Sequence, residues 1–154
     1  MRHVVLVEPE IPWNTGNAGR TCLAFGAQLH LVGPLGFDLD EKSVRRAGVD
    51  YWKRVDPVVH ADWEAFRAVL PSLGRPWFLS AEAPRTIHEA FRADADVLIF
   101  GCESTGLPAR IREEAGDRLA RIPMEDDAVR SLNLSTAVGV ALYAAATARP
   151  AGDG

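Results

Sequence analysis

Val97-Leu98-Ile99-Phe100, followed by Gly101-Cys102-Glu103-Ser104-Thr105-Gly106-Leu107-Pro108, is the stretch on which the fold turns. Four consecutive apolar residues bounded by Asp96 and Gly101 read as a strand buried on both faces, the kind found at the centre of a parallel sheet. The segment that follows is small and polar. Pro108 then sits in the first turn of a helix predicted from Leu107 to Ala115. A glycine placed directly after a buried strand lets a ligand approach the backbone.

Working outward, the same alternation recurs. Upstream, Val4–Val7 is a short buried strand. Asn14 or Thr15 caps a helix that Gly26 ends, and Gln28–Val32 is the next strand. Asp40 caps a helix through Ala47, stopped by Gly48. Asp62 opens another, which Pro71 and Gly74 break, and Trp77–Ser80 is strand-like. Thr86–Phe91 is a short helix. Downstream, Leu119–Ile122 is a last strand, and an uncharged helix from Leu132 to Ala148 closes the chain. Its entry, Arg130-Ser131-Leu132-Asn133-Leu134-Ser135, presents unpartnered first-turn N–H groups beside Ser and Asn side chains.

Alternation of this kind implies an α/β fold, a single-domain, mostly parallel sheet with helices on both faces. Residues 1–149 form the domain, and 150–154 a short tail. Ligands bind beyond the carboxyl ends of such strands. Three unusual loops lie there: Glu8–Gly19, Gly101–Pro108 and Pro123–Ser135.

Composition narrows the function. The chain has 154 residues, 47% of them hydrophobic and 25% charged, an ordinary globular make-up. A net charge of -4 argues against coating nucleic acid non-specifically, although a local basic patch escapes that average. Cys22 and Cys102 make no disulfide framework, and the four histidines show no paired ligand spacing, so no metal is expected. The run after Met1-Arg2-His3 is too short for a signal peptide. The last helix falls short of the roughly 20 residues that span a bilayer. A cytoplasmic protein is expected. Ala137, Gly139, Ala141, Ala144, Ala145 and Ala146 allow close helix approach, at a dimer seam or inside one subunit.

The loops carry the chemistry. Gly16 and Gly19 give Gly-x-x-Gly without the leading Gly-x-Gly of a dinucleotide turn, and no Gly-Lys-Ser/Thr is present. Arg20, one turn into its helix behind Asn14 and Asn17, forms a surface salt bridge or holds a phosphate or reacting oxygen. Glu103 is a helix cap or a ligand contact. Cys102 has no neighbouring histidine to activate it and reads as a small buried residue.

Together the loops resemble the SPOUT superfamily of S-adenosylmethionine-dependent RNA methyltransferases. Within it, the chain is similar to the small enzymes that methylate the ribose 2′-hydroxyl of the tRNA wobble nucleotide. The resemblance is carried by Glu8-Pro9-Glu10-Ile11-Pro12 with Asn14-Thr15-Gly16-Asn17 and Arg20; by Phe100-Gly101, Glu103 and Gly106-Leu107-Pro108; and by Ile122-Pro123-Met124 with Arg130 to Ser135. Arg45-Arg46-Ala47-Gly48 and Asp50-Tyr51 also fit, so that residues 3 to 148 are covered.

The resemblance implies a C-terminal trefoil knot and a homodimer built through the C-terminal helix. It implies that Leu79, Gly101, Ile122, Met124, Ser131 and Leu132 hold S-adenosylmethionine and release S-adenosylhomocysteine. It assigns Arg20 to the 2′-oxygen, with Ser131 and Asn133 bonding donor, ribose or Arg20. Glu103 fixes its loop or Arg20, and Asn17 shapes the first loop. Which subunit supplies Arg20 stays open. The anticodon loop of tRNA would meet a basic stretch (Lys42, Arg45, Arg46, Lys53, Arg54) whose one acid is Asp50. Trp13 would stack on a base or pack its loop, and Tyr143, which fits the family, would contact the RNA, although the Glu that often follows it is Ala144 here. Two other readings stay open: methylation of another RNA or of a base nitrogen, and a non-catalytic RNA- or nucleotide-binding module.

Overall fold

The structure, a computed structural model, describes residues 1–40, 42–48, 51–92 and 94–149. Asp50 and the tail at 150–154 lie outside the described residues. The chain runs β1 (His3–Val7), α1 (Pro12–Ala24), β2 (Gln28–Val32), α2 (Lys42–Gly48), α3 (Trp52–Val55), β3 (Val58–His60), α4 (Trp63–Leu73), β4 (Pro76–Leu79), α5 (Ile87–Ala90), β5 (Val97–Phe100), α6 (Ala109–Ala115), β6 (Leu119–Ala120) and α7 (Leu134–Thr147). The six strands pair in the order β3-β2-β1-β5-β4-β6, every pair parallel.

Alternation along β1 builds two cores. Val4 and Leu6 pack with Leu29, Leu31, Leu98 and Phe100 against residues of α1 and α7. Val5 and Val7 point the other way, to Ile99 and to Trp63, Phe66 and Ile111 of α4 and α6. β1 and β5 lie side by side, with Leu6 opposite Phe100. The helix after β1 covers one face and the helix after β5 the other, so a crevice opens beyond their carboxyl ends.

Several expectations are corrected. Helix α1 begins at Pro12, whose missing N–H costs nothing at the first position, so Asn14 and Thr15 are buried in the first turn rather than capping it. Pro71 does not break α4, because it falls near the end, where few hydrogen bonds remain to lose; Gly74, at φ 130°, stops the helix. Pro108 precedes α6 as its N-cap instead of entering it. β6 is only Leu119–Ala120, and α7 starts two residues beyond Leu132, with Asn133 as its cap. β3 and the short α3 were not foreseen. Val58 and Val59 are exposed on an edge strand, so no burial pattern announces it, and pairing with β2 alone makes it a strand.

Histidines that looked scattered in the sequence meet in space. His3 Nδ1 lies 2.9 Å from His30 Nε2, and His30 Nδ1 lies 3.0 Å from His60 Nε2. The chain of imidazoles crosses three adjacent strands against the edge of Phe66. Burial, then the charges of the flanking histidines, push His30 down from 6.5 to about 4. Burial also lowers His3 and His60. A neutral imidazole both donates and accepts, so the uncharged chain is satisfied along its length, and burial is what disfavours adding a proton to it. Because the folded-state values lie below the unfolded one, the unfolded chain binds protons first. This contribution is therefore complete above about pH 6.5 and is lost as pH falls toward 4; for His30 it amounts to at most about 3 kcal/mol. The urea midpoint is expected to drop between pH 7 and pH 5, and His30→Phe is expected to flatten that dependence. An equal slope in the variant would place the acid sensitivity elsewhere.

Candidate active site

The site is assembled from the loop after β5. Cys102 and Gly106 exchange backbone hydrogen bonds, with N–O distances of 3.3 and 3.0 Å, closing a turn whose tip is Glu103-Ser104-Thr105. Gly106 takes φ 70°, where glycine carries no side-chain penalty. Gly101 serves this turn: a Cβ there would stand 2.0 Å from the carbonyl carbon of Gly106. Its missing side chain therefore makes room for the chain's own backbone, not directly for a ligand as its position after a strand suggested.

From the tip, Glu103 reaches the loop after β1. Its carboxylate accepts from the N–H of Glu10 at 2.9 Å and of Ile11 at 2.7 Å, and from Asn14 Nδ2 at 3.2 Å. The Ile11 N–H stands at the start of α1, where backbone donors lack helical partners and negative charge is favoured. Asn14, only 2% exposed, accepts in turn from Asn133 Nδ2 at 3.0 Å. Asn133 Oδ1 caps α7, accepting from the N–H groups of Ser135 and Thr136 and from the Ser135 hydroxyl. One relay, Glu103–Asn14–Asn133, thus ties the three loops together. Asn14 was legible as part of the Asn-Thr-Gly-Asn motif, but only as a candidate helix cap, not as the centre of a relay.

Beneath the relay lies a cleft of about 590 Å³. The six residues expected to hold a donor (Leu79, Gly101, Ile122, Met124, Ser131 and Leu132) all line it, as do Glu103 and Asn133. Ser131 lies in extended chain before α7, not in its first turn. Cys102 also lines the cleft and is half-buried rather than buried, its thiol 3.1 Å from Thr105 Oγ1.

Arg20 and Asn17 do not line this cleft. They share the exposed stripe of α1 with Trp13, spaced four and then three residues apart, while Asn14 lies on the buried side. The Arg20 guanidinium instead stands 5.5 Å from the centre of the Tyr51 ring. Glu103 bonds the first loop and the start of α1, not Arg20. Arg46, Lys53 and Arg54 are exposed nearby, and Arg45 reaches Asp40 at 3.3 Å. Tyr143 is 63% exposed on α7. Of the small residues of α7, Ala141 and Ala145 are buried and Ala137 and Ala144 pack on the core, so these four serve contacts inside the subunit, while Gly139 faces Thr21 of α1 and Ala146 is exposed. The surface left over on α7 includes Val140 and Tyr143.

Known proteins resemble this chain in sequence and in fold. The sequence pattern of the SpoU rRNA Methylase family matches residues 1–143. A tRNA (cytidine(34)-2′-O)-methyltransferase of Saccharophagus degradans is 46% identical over 147 residues, 94% of each chain. A solved structure presented as structural insights into the 2-OH methylation of C/U34 on tRNA superposes with a TM-score of 0.87 at 46% identity, covering 95% of this chain and 94% of that one. An AdoMet-bound rRNA methyltransferase from Sinorhizobium meliloti superposes with a TM-score of 0.79 at 28% identity, covering 94% of this chain and 55% of the other.

The tight turn sets a direct test. Gly101→Ala forces a methyl group into backbone and is expected to cost about 3 kcal/mol or more, read as a lower urea midpoint. An unchanged midpoint would mean that the turn opens freely to admit the Cβ.

Proposed function

The chain belongs to the SpoU rRNA methylase family, and from that premise we propose that it methylates the ribose 2′-hydroxyl of the wobble nucleotide of tRNA, a cytidine or modified uridine at position 34, from S-adenosylmethionine. The observation that carries this reading is the convergence of all three loops on one cleft in a chain 46% identical to a tRNA (cytidine(34)-2′-O)-methyltransferase.

The cleft fits the cofactor. Its volume is in the range of small-molecule sites, and Leu79, Ile122, Met124 and Leu132 offer apolar walls beside the polar turn at 101–106. When bound, S-adenosylmethionine supplies an electrophilic methyl group on a sulfonium. The protein's share is orientation and charge. Ser131 and Asn133 stand at the wall of the cleft, Asn133 held by Asn14 and by its own helix. A guanidinium keeps its protons in proteins, so the part of Arg20 is to stabilise the developing 2′-oxyanion, not to act as a base.

Arg20 serves the cleft of a partner subunit in this reading. It lies six residues beyond Asn14, which puts it about 9 Å further along the helix and on another side. The homodimer forms through the C-terminal helix. Exposed Val140 and Tyr143 of α7 support that surface. The segment leading to α7 forms the family's trefoil knot, and the enzyme works in the cytoplasm as one domain, residues 1–149. The anticodon loop lies along Arg45, Arg46 and Lys53, with Trp13 available to stack on a base. Asn17, expected to shape the first loop, stands beyond it on the exposed side of α1 with Arg20.

Incubation with labelled donor and bulk unmethylated tRNA, then digestion to nucleosides, is expected to place the label in a 2′-O-methyl nucleoside from position 34. Label in a base, or none, overturns the assignment. Arg20→Ala is expected to lower turnover by about 1,000-fold while leaving S-adenosylhomocysteine affinity within about twofold; near-normal turnover would remove its role. Mixed dimers of Arg20→Ala with Asn133→Ala subunits are expected to regain activity, since one intact cleft remains. Mixed dimers as inactive as their parents would put Arg20 in its own subunit's cleft.

A further inference from the structure

Glu10 belongs to no role assigned so far. Its side chain is exposed and does not line the cleft, yet its position is unusually well determined. The loop that carries it starts at Glu8, a non-glycine residue in the left-handed region at φ 51°, whose N–H donates to Val32 at 2.7 Å. Behind it, Pro9 accepts from the Gly36 N–H at 2.9 Å, and a Cβ on Gly36 would stand 2.9 Å from the Cα of Glu10. In front, the Glu10 N–H is taken by the Glu103 carboxylate. The backbone of Glu10 is therefore held from both sides.

From that fixed base the Glu10 side chain reaches the tip of the cleft turn. Its Oε1 accepts from the Ser104 N–H at 2.9 Å and from the Ser104 hydroxyl at 2.6 Å. The exchange is reciprocal: the carboxylate of Glu103 binds the backbone of Glu10, and the carboxylate of Glu10 binds the neighbour of Glu103. Bonds to a carboxylate are the stronger kind. They also hold the Glu10 carboxyl below its ordinary value, so it stays ionised at neutral pH. Ser104, Thr105 and Gly106 all face the cleft. Where the tip stands sets the width of the cleft on that side.

We propose that Glu10 is a positioning residue that sets the donor-binding turn through Ser104 and so links that turn to the start of α1. The inference rests on the cleft being the S-adenosylmethionine site. Ligand on the turn and RNA on α1 then press on one clasp, and coupling between them is mutual. Glu103 holds the first loop from the tip of the turn. Glu10 adds the reverse bonds, without which Ser104 has no side-chain hold from the first loop.

Calorimetric titration with S-adenosylhomocysteine, beside steady-state methylation of tRNA, tests this. Glu10→Ala is expected to weaken S-adenosylhomocysteine binding and raise the donor KM about tenfold, the loss of one charge-assisted contact, while kcat at saturating donor stays within about threefold. Glu10→Gln keeps an acceptor oxygen and is expected to recover to within about threefold of wild type. The double variant Glu10→Ala/Ser104→Ala is expected to bind no worse than Glu10→Ala alone, since both changes break one interaction. Melting curves establish that each variant is folded; should Glu10→Ala fail to fold, Glu10→Gln and Ser104→Ala carry the test, the latter weakening binding. Additive losses, or wild-type affinity in Glu10→Ala, overturn the proposal and leave the assigned function standing. A wild-type protein that binds no S-adenosylhomocysteine overturns both.

Discussion

One carboxylate does most to bring the loops of this protein together. Glu103 stands at the tip of a turn that leaves the central strand β5, and it takes up the N–H groups of Glu10 and Ile11 on the neighbouring loop. Those groups are donors that a helix start cannot satisfy by itself. The same carboxylate fixes the amide of Asn14, which fixes Asn133, which caps the last helix. Remove the charge and three loops far apart in the chain lose their common reference point. The relay is possible because β1 and β5 are adjacent and send their helices to opposite faces, leaving a gap for polar loops to fill.

The site divides its labour accordingly. Apolar side chains and backbone make the walls of the cleft, while the polar side chains mostly hold each other. Asn133 spends its carbonyl oxygen on capping bonds and its amide on Asn14. That is the arrangement expected where precision matters, with each contacting group locked by a neighbour. The group proposed to meet the developing charge, Arg20, stands apart on the exposed side of α1 near Tyr51. In the proposed reading, a second copy brings its Arg20 to the cleft that one subunit forms.

The opposite edge of the sheet shows a different use of polar residues. His3, His30 and His60 lie on adjacent strands at the same face, where apolar side chains would ordinarily sit. They satisfy one another as a neutral chain and leave no ring nitrogen of His30 free. No spacing in the sequence announces this, because the three residues come together only through strand register.

By itself the sequence determined the class of fold and the membership of the cleft. The apolar run at 97–100 and the alternating periodicities imply a parallel sheet, since only a strand covered on both faces is apolar throughout. The three loops were readable because they follow predicted strands, and their six cleft residues because the loop motifs resemble those of a known family. The tertiary structure decided the rest. It made β3 a strand despite its exposed valines, carried α4 past Pro71, and set Asn14 inside while Arg20 faces out. It also gave Glu103, Glu10 and Ser104 their partners. Most of those outcomes depend on contacts between residues far apart in the chain, 94 positions for Glu10 and Ser104, and local spacing carries no record of which distant groups the packed sheet will bring within reach.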